Sequence, residues 1–240
     1  LKLRRHEEAR AEFMEILRAH DEAKGRTDAQ LDESSYGRAC RGLVEALLGL
    51  GRFADAKIAA DRALERPHLD EPQRKAIERQ EEMARYLAPY EGKLAAVVAG
   101  AEMPADFATR RVLAEWLYKH KRAPPAAARI YEQLLAKKSS PADKLDAQGR
   151  LQAGISAALT GYGIGSPGTA ISEADRAAWR KKALVWLQAE RPRPGATPNL
   201  MDAVHAARHW QQHEDLAALR TDAALAKLTD VERAAWAKLW

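Results

Sequence analysis

Cysteine is almost absent: Cys40 stands alone in 240 residues. The chain can therefore close no disulfide on itself, and a reducing compartment is the simplest expectation. β-Branched residues are scarce and phenylalanine occurs three times, so little in the composition favours extended strands. No run of about 18 apolar residues exists to span a membrane, and no secretory leader is recognisable. Dominance by one sign of charge is missing as well. Lysine and arginine number 39 against 34 acidic residues, a net charge of +5. Residues 101–240 hold 21 basic and 15 acidic side chains, so the excess lies there, yet acids are interspersed throughout. Nucleic-acid binders concentrate their basic residues on one face. The mixture here reads as a solvated helix surface, and no nucleic-acid partner is expected. The chain starts on Leu1 and stops at Trp240 inside a helical pattern, which reads as a piece of a longer polypeptide.

Alanine, leucine, arginine, glutamate and lysine supply most of the chain, and these side chains lose little freedom in a helix. Apolar residues recur at steps of three and four almost everywhere. In "HEEARAEFMEILRAHDEA" the residues Ala9, Phe13, Ile16, Leu17 and His20 share one face, and Gly25 closes the helix. A second helix runs from near Asp32 to Leu50, ended by Gly51, and a third from Phe53 to about Glu65. "DEPQ" at Asp70–Gln73 opens the next with acids and a proline, and Pro89 is expected to break or bend it. Thr229 with Glu232 fits a capping box, and Ser172 with Asp175 a partial one. Short antiparallel helices joined by short turns are expected, about 11 to 13 in number, with no sheet.

"YGRACRGLVEALLGLGRFADAKIAADRALERP", Tyr36 to Pro67, resembles a tetratricopeptide repeat. Leu43 and Leu47 mark its first helix, "LGRF" the turn, and Ala56, Ala60 and Ala63 the second helix. Small alanines allow close approach of the two helices, Gly51 permits the tight turn, and Phe53 plugs the groove between neighbours. A weaker copy spans Leu113–Ala136, with Arg122 and Pro124 where glycine and an aromatic are usual. A third, more divergent pair is "LQAGISAALTGYG" with "AWRKKALVWLQAE". The fold implied is all-α, a tetratricopeptide-like right-handed α-solenoid of antiparallel pairs. Repeats would fill residues 1–160, and a divergent helical region, 161–240, would continue or cap them. Leu43, Leu47, Phe53, Ala56, Ala60, Leu113, Trp116, Tyr131, Leu184, Trp186 and Trp210 are the expected core.

The second half resembles one family more specifically. "LAEWLYKHKR", "AARIYE", "AALTGYGIG", "RAAWRKKALVWLQAE" and "RHWQQHEDLAALRTDAALAKLTDVERAAWAKLW" follow in order from Leu113 to Trp240. They look like the helical region C-terminal to the catalytic domain in planctomycete-type bacterial serine/threonine protein kinases. "QAGIS" at Gln152–Ser156 departs from that family's pattern. The resemblance implies a non-catalytic protein–protein interaction region whose kinase domain lies outside this chain. It makes Trp210 and Leu216 apolar anchors, Asp215 and Arg220 polar positions at a turn, and Trp179, Trp186, Trp236 and Trp240 packing residues. The compartment would be cytoplasmic for a free-standing chain and would otherwise follow the parent kinase. The other class left open is a free-standing α-helical regulatory or nucleic-acid-associated protein without enzymatic activity.

Chemistry-bearing motifs are few. "GYGIGSPG" superficially looks like a phosphate-covering loop, but the strand lysine and the HRD and DFG motifs that a kinase needs are missing. His205, His209 and His213 recur at i, i+4 and i+8. Those eight residues span about 12 Å of helix, too far for one ion, so no metal site is expected. There is no G-x-S-x-G, H-E-x-x-H or C-x-x-C, and Cys40 sits on an apolar helical face as an inert thiol. No catalytic residue, cofactor or metal is assigned. A protein or peptide partner is expected in a groove lined by first helices, at Tyr36, Arg41 and Glu45 and at Arg110, Arg111 and Glu115.

Overall fold

The computed structural model describes residues 2–23, 33–66, 69–136, 145–165, 171–190 and 212–239. These form twelve α-helices, one 3-10 helix and no strand. The chain divides into two compact units, Leu1–Met103 and Pro104–Trp240, so the expected boundary at residue 160 falls inside the second. Within each unit helices pack mostly on their neighbours in sequence, as in a helical solenoid.

The first unit holds α1 (Lys2–Ala23), α2 (Glu33–Leu50), α3 (Phe53–Leu64), α4 (Glu71–Leu87), a 3-10 helix (Ala88–Lys93) and α5 (Leu94–Ala99). α2 lies at its centre, packed on α1, α3 and α4. Glycines make the close approach possible: a Cβ on Gly42 would strike the Phe13 ring, and one on Gly49 would sit 2.5 Å from the His6 ring. At the α2–α3 turn Gly51 takes φ 81°. The Gly51 and Arg52 amides donate to the Leu48 and Leu47 carbonyls, a Schellman ending that satisfies otherwise orphaned groups. Phe53, Ala56, Ala60 and Ala63 then form the buried stripe of α3, at steps of three and four. Asp70 caps α4 by accepting from the Gln73 amide. Pro89 has the expected effect, since α4 stops at Leu87 and the chain tightens to 3-10.

The second unit holds α6 (Phe107–Lys119), α7 (Pro124–Ala136), α8 (Ala147–Gly161) and α9 (Glu173–Glu190). Three short helices follow: α10 (Glu214–Leu219), α11 (Asp222–Leu225) and α12 (Asp230–Ala237). Every residue from Leu151 to Tyr162, on α8 and its C-cap, is buried, including the polar Gln152, Ser156 and Thr160 at steps of four. α9 lies along it on a small-residue seam. A Cβ on Gly154 would meet the Leu187 side chain at 2.6 Å, and one on Gly161 would meet the Arg180 backbone nitrogen at 2.8 Å. Trp236 of α12 packs edge-on against Tyr162, ring centroids 5.7 Å apart.

The expected core residues Leu43, Leu47, Phe53, Ala56, Ala60, Leu113, Trp116 and Tyr131 are buried. Leu184 and Trp186 are not; both are half-buried. Arg180, Ala183 and Leu187 form the buried stripe of α9, and each helical step rotates by about 100°. Positions 184 and 186 therefore fall beside the stripe. Trp179 is likewise half-buried, with the Lys182 ammonium 4.5 Å from its ring centroid. On α1, Phe13 and Leu17 are half-buried and Ile16 is exposed. Trp210, His205, His209, Gly25, Pro67 and Trp240 lie outside the described residues.

Candidate functional site

α2 carries Tyr36, Cys40, Leu43 and Leu47 at steps of four, three and four, so one stripe runs along its axis. In the first unit that stripe is the floor of an open trough, about 1390 Å³ in volume, walled by α1 and α3. Met14 and Leu17 supply the apolar part of the α1 wall, and Ile58, Ala59 and Ala63 that of α3. Met14 and Ile58 are 53% and 50% exposed. Two large apolar side chains thus face each other across the trough from opposite walls.

Charged groups edge the apolar floor. Arg10, Arg18, Arg52, Arg62 and Arg66 alternate with Glu15, Glu22, Asp55 and Glu65. Many are already matched. Arg52 pairs with Asp55 at 2.5 Å, Arg18 with Glu22 at 2.8 Å, and Arg10 with Glu7 at 3.5 Å. The Arg66 guanidinium lies 5.4 Å from the centroid of the Tyr36 ring, which places a cation over an aromatic face at one end of the floor. Arg62, Glu15 and Glu65 are exposed and have no ion-pair partner among the described residues.

The six positions expected to form a groove are divided between the two units. Tyr36 lines the trough. Arg41 and Glu45 sit on another face of α2, where the Gln80 amide of α4 donates to the Glu45 carboxylate at 2.9 Å and to the Arg41 carbonyl at 3.4 Å. Arg110, Arg111 and Glu115 belong to the second unit. There Arg110 donates to the Pro104 carbonyl, and Glu115 is shared by Arg111 and Lys119 at 3.9 and 2.5 Å. Ile58, Met14 and Arg62 were not among the expected positions. Ile58 did leave a signal, because it interrupts the polar face of α3 opposite its alanine stripe.

Two polar clusters in the second unit are built around a buried charge, Asp215 in one and Arg180 in the other. Asp215 accepts from the Tyr118 hydroxyl at 2.5 Å and from both terminal nitrogens of Arg122, at 3.1 and 2.6 Å. Burial disfavours its charged form, but the Arg122 guanidinium and the Tyr118 hydroxyl outweigh that and hold the carboxyl below the usual carboxylate range. Burial and then Asp215 push the Tyr118 phenol upwards. Arg180 donates to Glu232, Glu173 and the Gly161 carbonyl. Burial likewise opposes the charge on Glu232, and the Arg180 and Thr229 hydrogen bonds override it, lowering its pKa. The Tyr162 hydroxyl is buried without a hydrogen-bond partner among the described residues, and burial pushes its pKa up to about 12.

His213 stands at the N-cap of α10, and the other two histidines of the i, i+4, i+8 series, His205 and His209, lie outside the described residues. Among the described residues no group of three or more His, Cys, Asp or Glu is placed to hold a metal ion, and no helix is long and apolar enough to cross a membrane. In "GYGIGSPG", Gly163 and Gly165 take left-handed φ after the end of α8; residues 166–170 lie outside the described set. No family model, no curated protein and no solved structure matches the chain.

Proposed function

We propose that this chain is a non-catalytic, α-helical regulatory module that holds a segment of a protein partner in the trough of its first unit. The observation that carries the reading is the trough itself. An apolar floor with half-exposed Met14 and Ile58 on facing walls is what a docked polypeptide covers. Its volume of about 1390 Å³ exceeds the range of pockets built for small ligands. Its edges carry both signs of charge, which suits a protein segment better than a uniformly anionic nucleic-acid backbone. The Schellman turn at Gly51, the buried Phe53 and the alanine stripe of α3 support a tetratricopeptide-like, right-handed solenoid as the architecture.

A photocrosslinking amino acid at position 58, with one at the exposed Val185 as control, tests this in cells. Discrete adducts from position 58 that are missing from 185 are the expected result; identical patterns from both sites would remove the reading.

A second reading attaches the module to a serine/threonine protein kinase. It rests on the order of motifs from Leu113 to Trp240. The buried Trp116, Leu216 and Trp236 support it, since the resemblance implies packing roles there. Immunoblotting native extracts with antibodies to this chain tests it. A band well above 26.6 kDa that carries protein kinase activity would favour it, and a band of the chain's own size would remove it.

A further inference from the structure

Resting on the trough reading, we infer that the segment it holds is an amphipathic α-helix, acidic on the flank facing α3 and basic on the flank facing α1. The first argument concerns the backbone. Among the residues lining the trough there is no Asn, Gln, Ser or Thr, and the charged groups stand at its edges. An extended peptide on that floor would find backbone partners only in charged side chains, several of them already held in ion pairs, and each N–H or C=O left unpaired there carries a cost. A helix satisfies its own backbone and presents only side chains.

Shape points the same way. The floor from Tyr36 to Leu47 is a helical stripe about 16 Å long, three turns. Among the described residues the walls formed by α1 and α3 leave the position of a fourth helix open, and apolar residues at i, i+3, i+4 and i+7 would meet Leu43 and Leu47 between Met14 and Ile58. Charge sets the orientation of the flanks. Among the described residues lining the trough, the exposed charges without ion-pair partners are Arg62 on the α3 wall, Glu15 on the α1 wall, and Glu65 just past the end of α3. An acid on the α3 side of the guest and a base on the α1 side complement Arg62 and Glu15.

Selection from a displayed library of random peptides, roughly 16 residues or a little over four turns long, tests this with the full chain as bait. The expected winners show apolar spacing of three and four with acids on one flank and bases on the other. They are lost on an Ile58→Asp bait, with Met14→Asp as the second trough variant should the first not fold. On an Arg62→Glu bait the selected flank should change from acidic to basic, and a winning peptide should lose about fivefold in affinity, the upper range for an exposed pair. Winners that alternate in twos or are proline-rich, yet still depend on Ile58, overturn the helix and leave the trough reading standing. Helical winners indifferent to Arg62→Glu overturn the assigned orientation. No enrichment that depends on Ile58 or Met14 overturns both.

Discussion

The guanidinium of Arg122 forks onto the carboxylate of Asp215, 93 residues further along the chain, with nitrogen–oxygen distances of 3.1 and 2.6 Å. Arg122 does so from a left-handed backbone, φ 50°, a conformation that favours glycine. A side chain there costs about 1–2 kcal/mol, and the two charge-assisted bonds offset it. Arg122→Ala keeps the strained backbone and loses the bonds, whereas Arg122→Gly loses the bonds and relieves the strain. The glycine variant should therefore be the more stable of the two by about 0.5–1 kcal/mol, after its greater unfolded-state freedom is subtracted. Urea melts of the two variants check the order; an alanine variant at least as stable would refute the account.

Acid should weaken the same link. The Asp215 carboxyl is held below its ordinary value of 3.8 in the folded chain. Its contribution is therefore fully present above that value and is lost as pH falls through the lower, folded one. At neutral pH Asp215→Asn should cost about 1.5–3 kcal/mol, the range for hydrogen bonds to a charged group. The gap between wild type and variant should close as the wild-type carboxylate protonates. Denaturant melts at neutral pH and at successively lower pH read this directly, and a gap that stays constant through that range would contradict it.

Gly161→Ala should be costlier than its exposed-helix counterpart Gly92→Ala. At Gly161 the new methyl meets the Arg180 nitrogen at 2.8 Å and the Arg176 carbonyl oxygen at 3.0 Å, both backbone, so no rotamer change relieves the contact. At Gly92 it meets nothing within 4 Å. A loss of about 1–3 kcal/mol at Gly161 against little change at Gly92 is expected. Thermal melts of the pair decide it.

Two tryptophans should separate sharply. Trp116 is fully buried, and Trp116→Ala should cost about 3–5 kcal/mol. Trp186, half-buried beside the α9 stripe, should cost clearly less. Equal losses would mean that Trp186 is a core residue after all.

Ile58→Asp should leave stability within about 0.5 kcal/mol of wild type, because surface changes away from buried features rarely do more. Far-UV circular dichroism together with melting would register a larger loss and assign Ile58 to the core rather than to the trough.

The helices themselves could be read directly from the amino-acid order. Apolar spacing, the Gly51 turn, the Asp70 cap and the Thr229–Glu232 capping box are properties of contiguous residues. All were legible because their physics is local. The alanine stripe of α3 was legible for the same reason: period alone says which face a helix buries. Which residues meet across the chain was decided by tertiary packing. Nothing near Arg122 in sequence announces Asp215, and nothing in "RKKALVWLQAE" tells the buried Leu187 from the half-buried Trp186, since both are large, apolar and adjacent. The seam along α8 decided that, because Gly154 and Gly161 set the azimuth at which α9 approaches. The trough has the same origin. α2 offers Tyr36, Cys40, Leu43 and Leu47 as an apolar stripe in any fold, but whether a stripe becomes core or floor depends on how far apart its neighbours stand. In this chain α1 and α3 stand apart over that stripe, and Met14 and Ile58 are left half in solvent.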